Sequence, residues 1–172
     1  MPASSTTHLL LQDVEHELGT TRRVLERVPT DKMSWRPHPK SWTLGQLATH
    51  VARLHLWGTM TAEAPSVDVA GFPEGGGPVA ESAEALLALF DTESARMRAA
   101  LAEMLGGDAD AALQARWALR HGEHELMAFP RAFALRAFVF NHLVHHRGQL
   151  SVYLRLLDIP VPAMYGPSAD ER

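Results

Sequence analysis

Leu11, Val14, Leu18, Thr21, Leu25 and Val28 recur three or four residues apart, which is the spacing of one helix face, and Pro29 closes the run. This predicts a first helix over roughly 6–28. Pro37 and Pro39 break any helix between Thr30 and Ser41. A second helix is expected to open at Trp42-Thr43, where Thr43 and Gln46 have capping-box spacing, and to run to about 62. Its inner stripe reads Leu44, Leu47, His50, Val51, Leu54 and Trp57.

Residues 64–79 are rich in Pro and Gly, including Gly75-Gly76-Gly77, and predict a long connection able to cross a bundle. A third helix over roughly 80–105 carries Ala83, Leu86, Phe90, Met97, Leu101 and Met104 inward, and Gly106-Gly107 stops it. Leu113, Ala115, Trp117 and Leu119 alternate, and Gly122 offers a turn, so a short hairpin fits between 107 and 129. A fourth helix is expected from Pro130, a favoured first-turn residue, to about 158, where Ile159-Pro160-Val161-Pro162 ends it. The expected fold class is therefore all-α: a four-helix bundle with a long crossover between helices 2 and 3, a short hairpin before helix 4 being allowed. The 172 residues are expected to form a single domain over 1–172.

Composition narrows the function more than the fold. Apolar residues make up 46% and charged residues 21%, as in ordinary globular chains. The formal net charge is −4, Lys32 and Lys40 are the only lysines, and the arginines are scattered. Nucleic-acid binding is not expected, because phosphate recognition needs clustered cations. The chain has no cysteine, which excludes disulfides, thiolate metal sites and a cysteine nucleophile. No signal-peptide pattern opens the chain and no apolar run reaches ~20 residues, so a cytoplasmic protein without a membrane span is expected.

The informative residues are the 10 histidines. In Asn141-His142-Leu143-Val144-His145-His146-Arg147-Gly148-Gln149, His142 and His146 lie one turn and about 40° apart on a helix. Two imidazoles at this spacing can reach one metal, as in H-E-x-x-H sites. Leu135, Phe138, Gln149, Tyr153 and Leu156 project within about 40° of His142, which predicts that the pair faces inward. Buried imidazoles without partners are costly, and a shared metal removes that cost. His50, flanked by Leu47 and Leu54, is the best third ligand, from a second helix. His145 stays open as a replacement for either member of the pair.

Three protein ligands leave a coordination position for water or substrate, the catalytic arrangement. A hydrogen-bonded core histidine is the ordinary alternative for each position taken singly. His16 and His55 are read as flank residues, in contact with solvent or lying behind the metal ligands, and His8, His38, His121 and His124 as surface. Trp35, Trp42, Trp57 and Trp117 are read as core or pocket wall. A di-iron carboxylate bundle is excluded because no Glu has a His three residues later. A serine hydrolase elbow is excluded because there is no G-x-S-x-G.

A-T-H-V-A-R-L around His50, N-H-L-V-H-H-R-G-Q-L at 141–150 and I-P-V-P-A-M-Y-G-P-S at 159–168 carry a resemblance to a known family. Over nearly its whole length the chain resembles the DinB/YfiT-like superfamily of metal-binding four-helix bundles. The resemblance implies that His50, His142 and His146 are metal ligands for a divalent transition metal, usually zinc or nickel, with iron or manganese as alternatives. It also implies a homodimer. Activities known in the superfamily include thiol S-transferases and a thiol-dependent isomerase. The expected function is accordingly that of a metal-dependent transferase, isomerase or hydrolase acting on a small molecule with a low-molecular-weight thiol. His145, Tyr153 and Gln149 are candidates for moving a proton. The alternative is a non-catalytic metal- or small-ligand-binding stress-response protein with a closed coordination shell, for which Asn141 and Asp13 are the candidate fourth ligands.

Overall fold

The computed structural model describes residues 5–73 and 76–171, with side chains from Leu10 onward. Gly75 and the side chain of His8 lie outside the described residues. Helix α1 spans Ser5–Leu25, and Val28 is buried in the turn beyond it. Helix α2 spans Leu44–Arg53, and α3 spans His55–Glu63. The single second helix expected from the sequence is thus two helices, because the chain tightens at Leu54 and the Trp57 N–H bonds the Leu54 carbonyl three residues back. At the start of α2 the capping box is present: Gln46 N–H donates to Thr43 Oγ1 (3.2 Å) and Thr43 N–H to Gln46 Oε1 (2.8 Å).

Helix α4 spans Ala83–Leu105, with Ser82 accepting the Ala85 N–H, and α5 spans Ala109–Gln114. The last helical stretch begins as α6, Arg131–Ala134, passes through a π-helical segment at Leu135–Asn141, and continues as α7, His142–Leu156. Helix α2 packs against α4 and α7, and α1 packs against the same two helices. Leu18, Leu25, Leu47, Phe90, Leu101 and Leu150 lie in the core they enclose.

The all-α expectation is corrected by a three-stranded mixed sheet. Strand β1 (Ser66–Asp68) lies parallel to the central β2 (Arg116–His121), and β3 (His124–Pro130) lies antiparallel to β2. A parallel pair needs a crossover, and α4 with α5 supplies it. Apolar burial drives the sheet. Val67, Trp117, Leu119 and Ala134 form a second buried cluster, flanked by Trp57 and Phe138. Three residues are too few to show strand periodicity, which is why β1 is invisible in the sequence pattern. Asp68 fixes the hairpin to β1: its Oδ1 accepts the N–H groups of Ala70 and Gly122, both at 2.9 Å. Gly122 turns the hairpin at φ 59°, a left-handed conformation that glycine adopts without steric cost.

Pro130 closes β3 and caps the helical stretch from outside, one position before the first turn where the sequence placed it. Among the described residues no helix is long and apolar enough to cross a membrane.

Candidate metal centre

His50 comes from α2, and His142 and His146 come from α7, two helices in contact. The structure brings these three together: one ring nitrogen from each lies within 4.8 Å of the other two. His50 Nε2 and His142 Nε2 are 3.3 Å apart. His145 is exposed and lies outside the group. Asp13 and Asn141 are exposed as well.

Each ring is held by something local. His146 Nδ1–H donates to Gln149 Oε1 at 2.8 Å, which leaves Nε2 facing the other two imidazoles. His142 has a backbone hydrogen bond with Phe138. At the end of the π-helical segment the His142 N–H bonds the Val139 carbonyl instead of the Phe138 carbonyl an α-helix would give it. Trp42 stands across the group, edge-on to His50 (5.0 Å between centroids) and stacked on His146 (5.7 Å). Tyr153 Oη donates to the Trp42 carbonyl at 3.3 Å and so ties this segment to α7.

Burial pushes the His50 pKa down to about 4, and the neighbouring His146 and His142 add to the effect. Burial is also the first cause lowering His142 and His146 below the ordinary imidazole value, with charge from a neighbouring histidine helping in each case. All three imidazoles are therefore neutral at neutral pH, the form a metal needs.

The group lies between two cavities. One of about 660 Å³ has His50 and His142 in its lining, with Trp42, Leu54, Trp57 and Phe72 among its walls. The other, about 460 Å³, is lined by His146, Gln149, Tyr153 and Trp42 among others. Arg53 closes the outer side of the larger one: its guanidinium donates to the Gly76 carbonyl and, at 2.8 Å, to the Pro78 carbonyl.

The family model described as the DinB family matches residues 1–172. The chain belongs to the DinB family. It is 27% identical over 170 residues to the uncharacterized protein YrdA of Bacillus subtilis, covering 94% of this chain and 89% of YrdA. A DinB-like protein from Bacillus cereus superposes with a TM-score of 0.66 at 24% identity, covering 90% of this chain and 95% of that one. A DinB-like protein from Bacillus subtilis gives 0.63 at 20% identity, covering 94% and 99%. The two structures share the fold.

Within this DinB chain several residues stand where the sequence did not put them. Gln149 and Leu156, expected inward beside His142, are exposed, and the innermost line of α7 is Leu143, Arg147, Leu150 and Leu154. The histidine pair therefore sits half-buried at the edge of the core, where it meets the cavities. His55, read as a flank residue in contact with solvent or behind the ligands, is fully buried. Its ring stands edge-on to Phe90 (4.9 Å), its Nδ1 lies 3.2 Å from the Ala52 carbonyl, and its Nε2 has no partner among the described residues. Arg147 of the His-Arg-Gly-Gln run is buried and pairs with Glu17 on α1. His16, His38, His121 and His124 are exposed, as read from the sequence.

Proposed function

We propose that His50, His142 and His146 of this DinB protein hold one divalent transition metal, zinc or nickel with iron or manganese as alternatives. On that reading the protein is a metal-dependent enzyme of the thiol S-transferase, isomerase or hydrolase type. The observation that carries the reading is the convergence of three neutral imidazole nitrogens within 4.8 Å, with His50 and His142 in the lining of a cavity of about 660 Å³. The donor set fits. Tetrahedral zinc with bonds of about 2.0–2.1 Å holds its ligand atoms roughly 3.3–3.4 Å apart, and the Nε2 atoms of His50 and His142 are 3.3 Å apart.

Bound there with a position left open, the metal would lower the pKa of a coordinated thiol or water and supply a nucleophile at neutral pH. The chain's own groups do the rest. Gln149 fixes which nitrogen of His146 faces inward. Trp42 and the apolar walls limit water around the imidazoles. Because the chain has no cysteine, a thiol comes from a low-molecular-weight cosubstrate. A closed, non-catalytic shell would want a fourth protein ligand, and no further His, Asp or Glu among the described residues joins the three. A homodimer and a cytoplasmic location belong to the same proposal, and analytical ultracentrifugation tests the first.

Elemental analysis of protein purified without a histidine tag, beside His142→Ala/His146→Ala, tests the centre. About one metal per chain, lost in the variant, is expected. Equal and negligible metal in both, with no uptake of zinc or nickel, would sink the proposal. A screen of low-molecular-weight thiols with electrophiles, on loaded and chelated protein, then tests the enzyme reading.

A further inference from the structure

The larger cavity says more about its ligand than that it is small. Its volume, about 660 Å³, lies in the range of small-molecule sites. Two aromatic walls bound it. Trp57 is stacked on Phe138 (5.5 Å, 22°) and flanked by Phe72 (5.7 Å), which keeps its plane fixed. Trp42, held through its carbonyl by Tyr153, forms the other wall. Fixed aromatic faces favour a flat partner with its own π surface.

The charge pattern is equally specific. No carboxylate lines the cavity among the described residues. Arg53 is the only guanidinium there among the described residues, and it donates to the carbonyls of Gly76 and Pro78. Those bonds hold the guanidinium in place without cancelling its charge, and a cationic group would meet no carboxylate among the described residues.

Two polar side chains in the lining have spare hydrogen-bond capacity of one kind. Gln46 uses its Oε1 to accept the Thr43 N–H in the capping box, which leaves its amide N–H groups as donors. Thr49 Oγ1 accepts the Ala80 N–H at 3.0 Å, and its own O–H has no acceptor among the described residues. Both offer donors, and both lie within one turn of His50 on α2.

We propose that this cavity binds a flat aromatic compound without a positive charge, carrying a hydrogen-bond acceptor such as a ketone oxygen, as the substrate in the reading above, on which the assignment rests. The aromatic body lies between the walls of Trp42 and Trp57, and the acceptor meets the donors of Gln46 and Thr49.

The test is binding, so that it stands apart from turnover. N-phenyl-1-naphthylamine, a neutral aromatic dye, is titrated by fluorescence into chelator-treated and zinc-loaded protein, with zinc measured separately. One dye per chain is expected in both forms. Leu56→Asp, which puts a negative charge into the lining, is expected to weaken the neutral dye by about tenfold or more. Phe72→Ala, at a wall residue in an exposed loop, guards against misfolding of the first variant and is expected to weaken the dye several-fold.

In competition, 2-acetylnaphthalene is expected to displace the dye about fivefold better than 2-ethylnaphthalene, with the advantage gone in Thr49→Val. No effect of Leu56→Asp and Phe72→Ala would overturn the assignment, as would equal competition by the two naphthalenes. Dye binding by a protein that takes up no zinc would instead refute the metal centre and leave the cavity assignment standing.

Discussion

Arg147 and Glu17 form an ion pair at 2.6 Å that joins α7 to α1, with the arginine side chain 1% exposed and the glutamate 15%. The guanidinium also donates to Thr21 Oγ1 at 2.9 Å and to the Glu17 carbonyl at 3.2 Å. Tyr165 Oη, from the C-terminal tail, donates to the same carboxylate at 2.8 Å. The arginine that follows His146 in the sequence is therefore a joint of the bundle and takes no part in the histidine group. Removing one partner leaves a buried charge alone, so Glu17→Ala is expected to cost about 3–5 kcal/mol in urea unfolding. Glu17→Leu/Arg147→Met is expected to recover most of the loss, because apolar replacement of a buried pair is often neutral or better. A loss under 1 kcal/mol in Glu17→Ala would show that the pair is solvated in solution.

Gly58 on α3 faces Met97 on α4 so closely that an added Cβ would stand 2.3 Å from Met97 Sδ and 2.7 Å from its Cγ. Met97 is 1% exposed and has little room to withdraw. Gly58→Ala is expected to destabilise by about 1–3 kcal/mol despite its better helix propensity, and Gly58→Ala/Met97→Val to regain part of that. Calorimetric melting of the three proteins checks the order. A Gly58→Ala protein more stable than wild type would mean that α3 and α4 pack less tightly than described.

The sequence carried the long helices and the histidine group because both rest on local periodicity. Val14, Leu18, Leu47, Leu86, Phe90 and Leu101 are all buried where their spacing put them. The errors come where an element is covered on more than one side. Helix α3 packs against α4, β1 and the π-helical segment, so it has no simple solvent face, and His55 is buried on the side taken for a flank. The exposure of Gln149 and Leu156 has a related cause. A wheel drawn at a constant 100° per residue from Leu135 to Leu156 ignores the wider turn at Leu135–Asn141. Strand β1 owes its existence to pairing with β2, across the α4 crossover, and no pattern within three residues could announce it.

Burial of His55 sets a pH dependence of stability. Its folded pKa is lowered from 6.5 to about 4, with burial the first cause and the Ala52 carbonyl opposing it. The fold therefore prefers the neutral ring. As pH falls below 6.5 the unfolded chain takes up the proton first, so stability is complete above 6.5 and declines as pH drops towards 4. The difference of about 2.5 pH units corresponds to a loss of about 3 kcal/mol across that window. Urea unfolding of metal-free wild type and His55→Gln between pH 7.5 and 4.5 separates this from the carboxylates, which titrate in both. The gap in stability should shrink by about that amount on acidification. A pH-independent gap would show that the ring is hydrated in the native state.

Gln149 touches the histidine group only through His146 Nδ1, at 2.8 Å. Removing an outer partner of a metal-ligating histidine typically costs 10–100-fold in affinity. Gln149→Ala is expected to weaken zinc binding by a factor in that range, measured by competition with a chromophoric chelator. Because the side chain is exposed, its melting temperature without metal should stay near that of wild type. Unchanged zinc affinity would detach the amide from the metal centre.

The lowered pKa values of the three histidines also predict how zinc binding responds to acid. A proton and a metal compete for the same nitrogen lone pair, so uptake must displace whatever protons the free site carries. At pH 6, three ordinary imidazoles of pKa 6.5 would together release about two protons on binding. His50 is held near 4, and His142 and His146 are shifted in the same direction, so the free site carries fewer protons at pH 6 than three ordinary imidazoles would. Fewer than two protons per zinc are expected, and affinity should fall less between pH 7.5 and 6 than it would for three ordinary imidazoles. Calorimetric titrations at pH 6 in two buffers of different ionisation enthalpy count the protons directly. Release of about two would show that the imidazoles are solvated before the metal arrives. The burial around Trp42 would then be a property of the closed site alone.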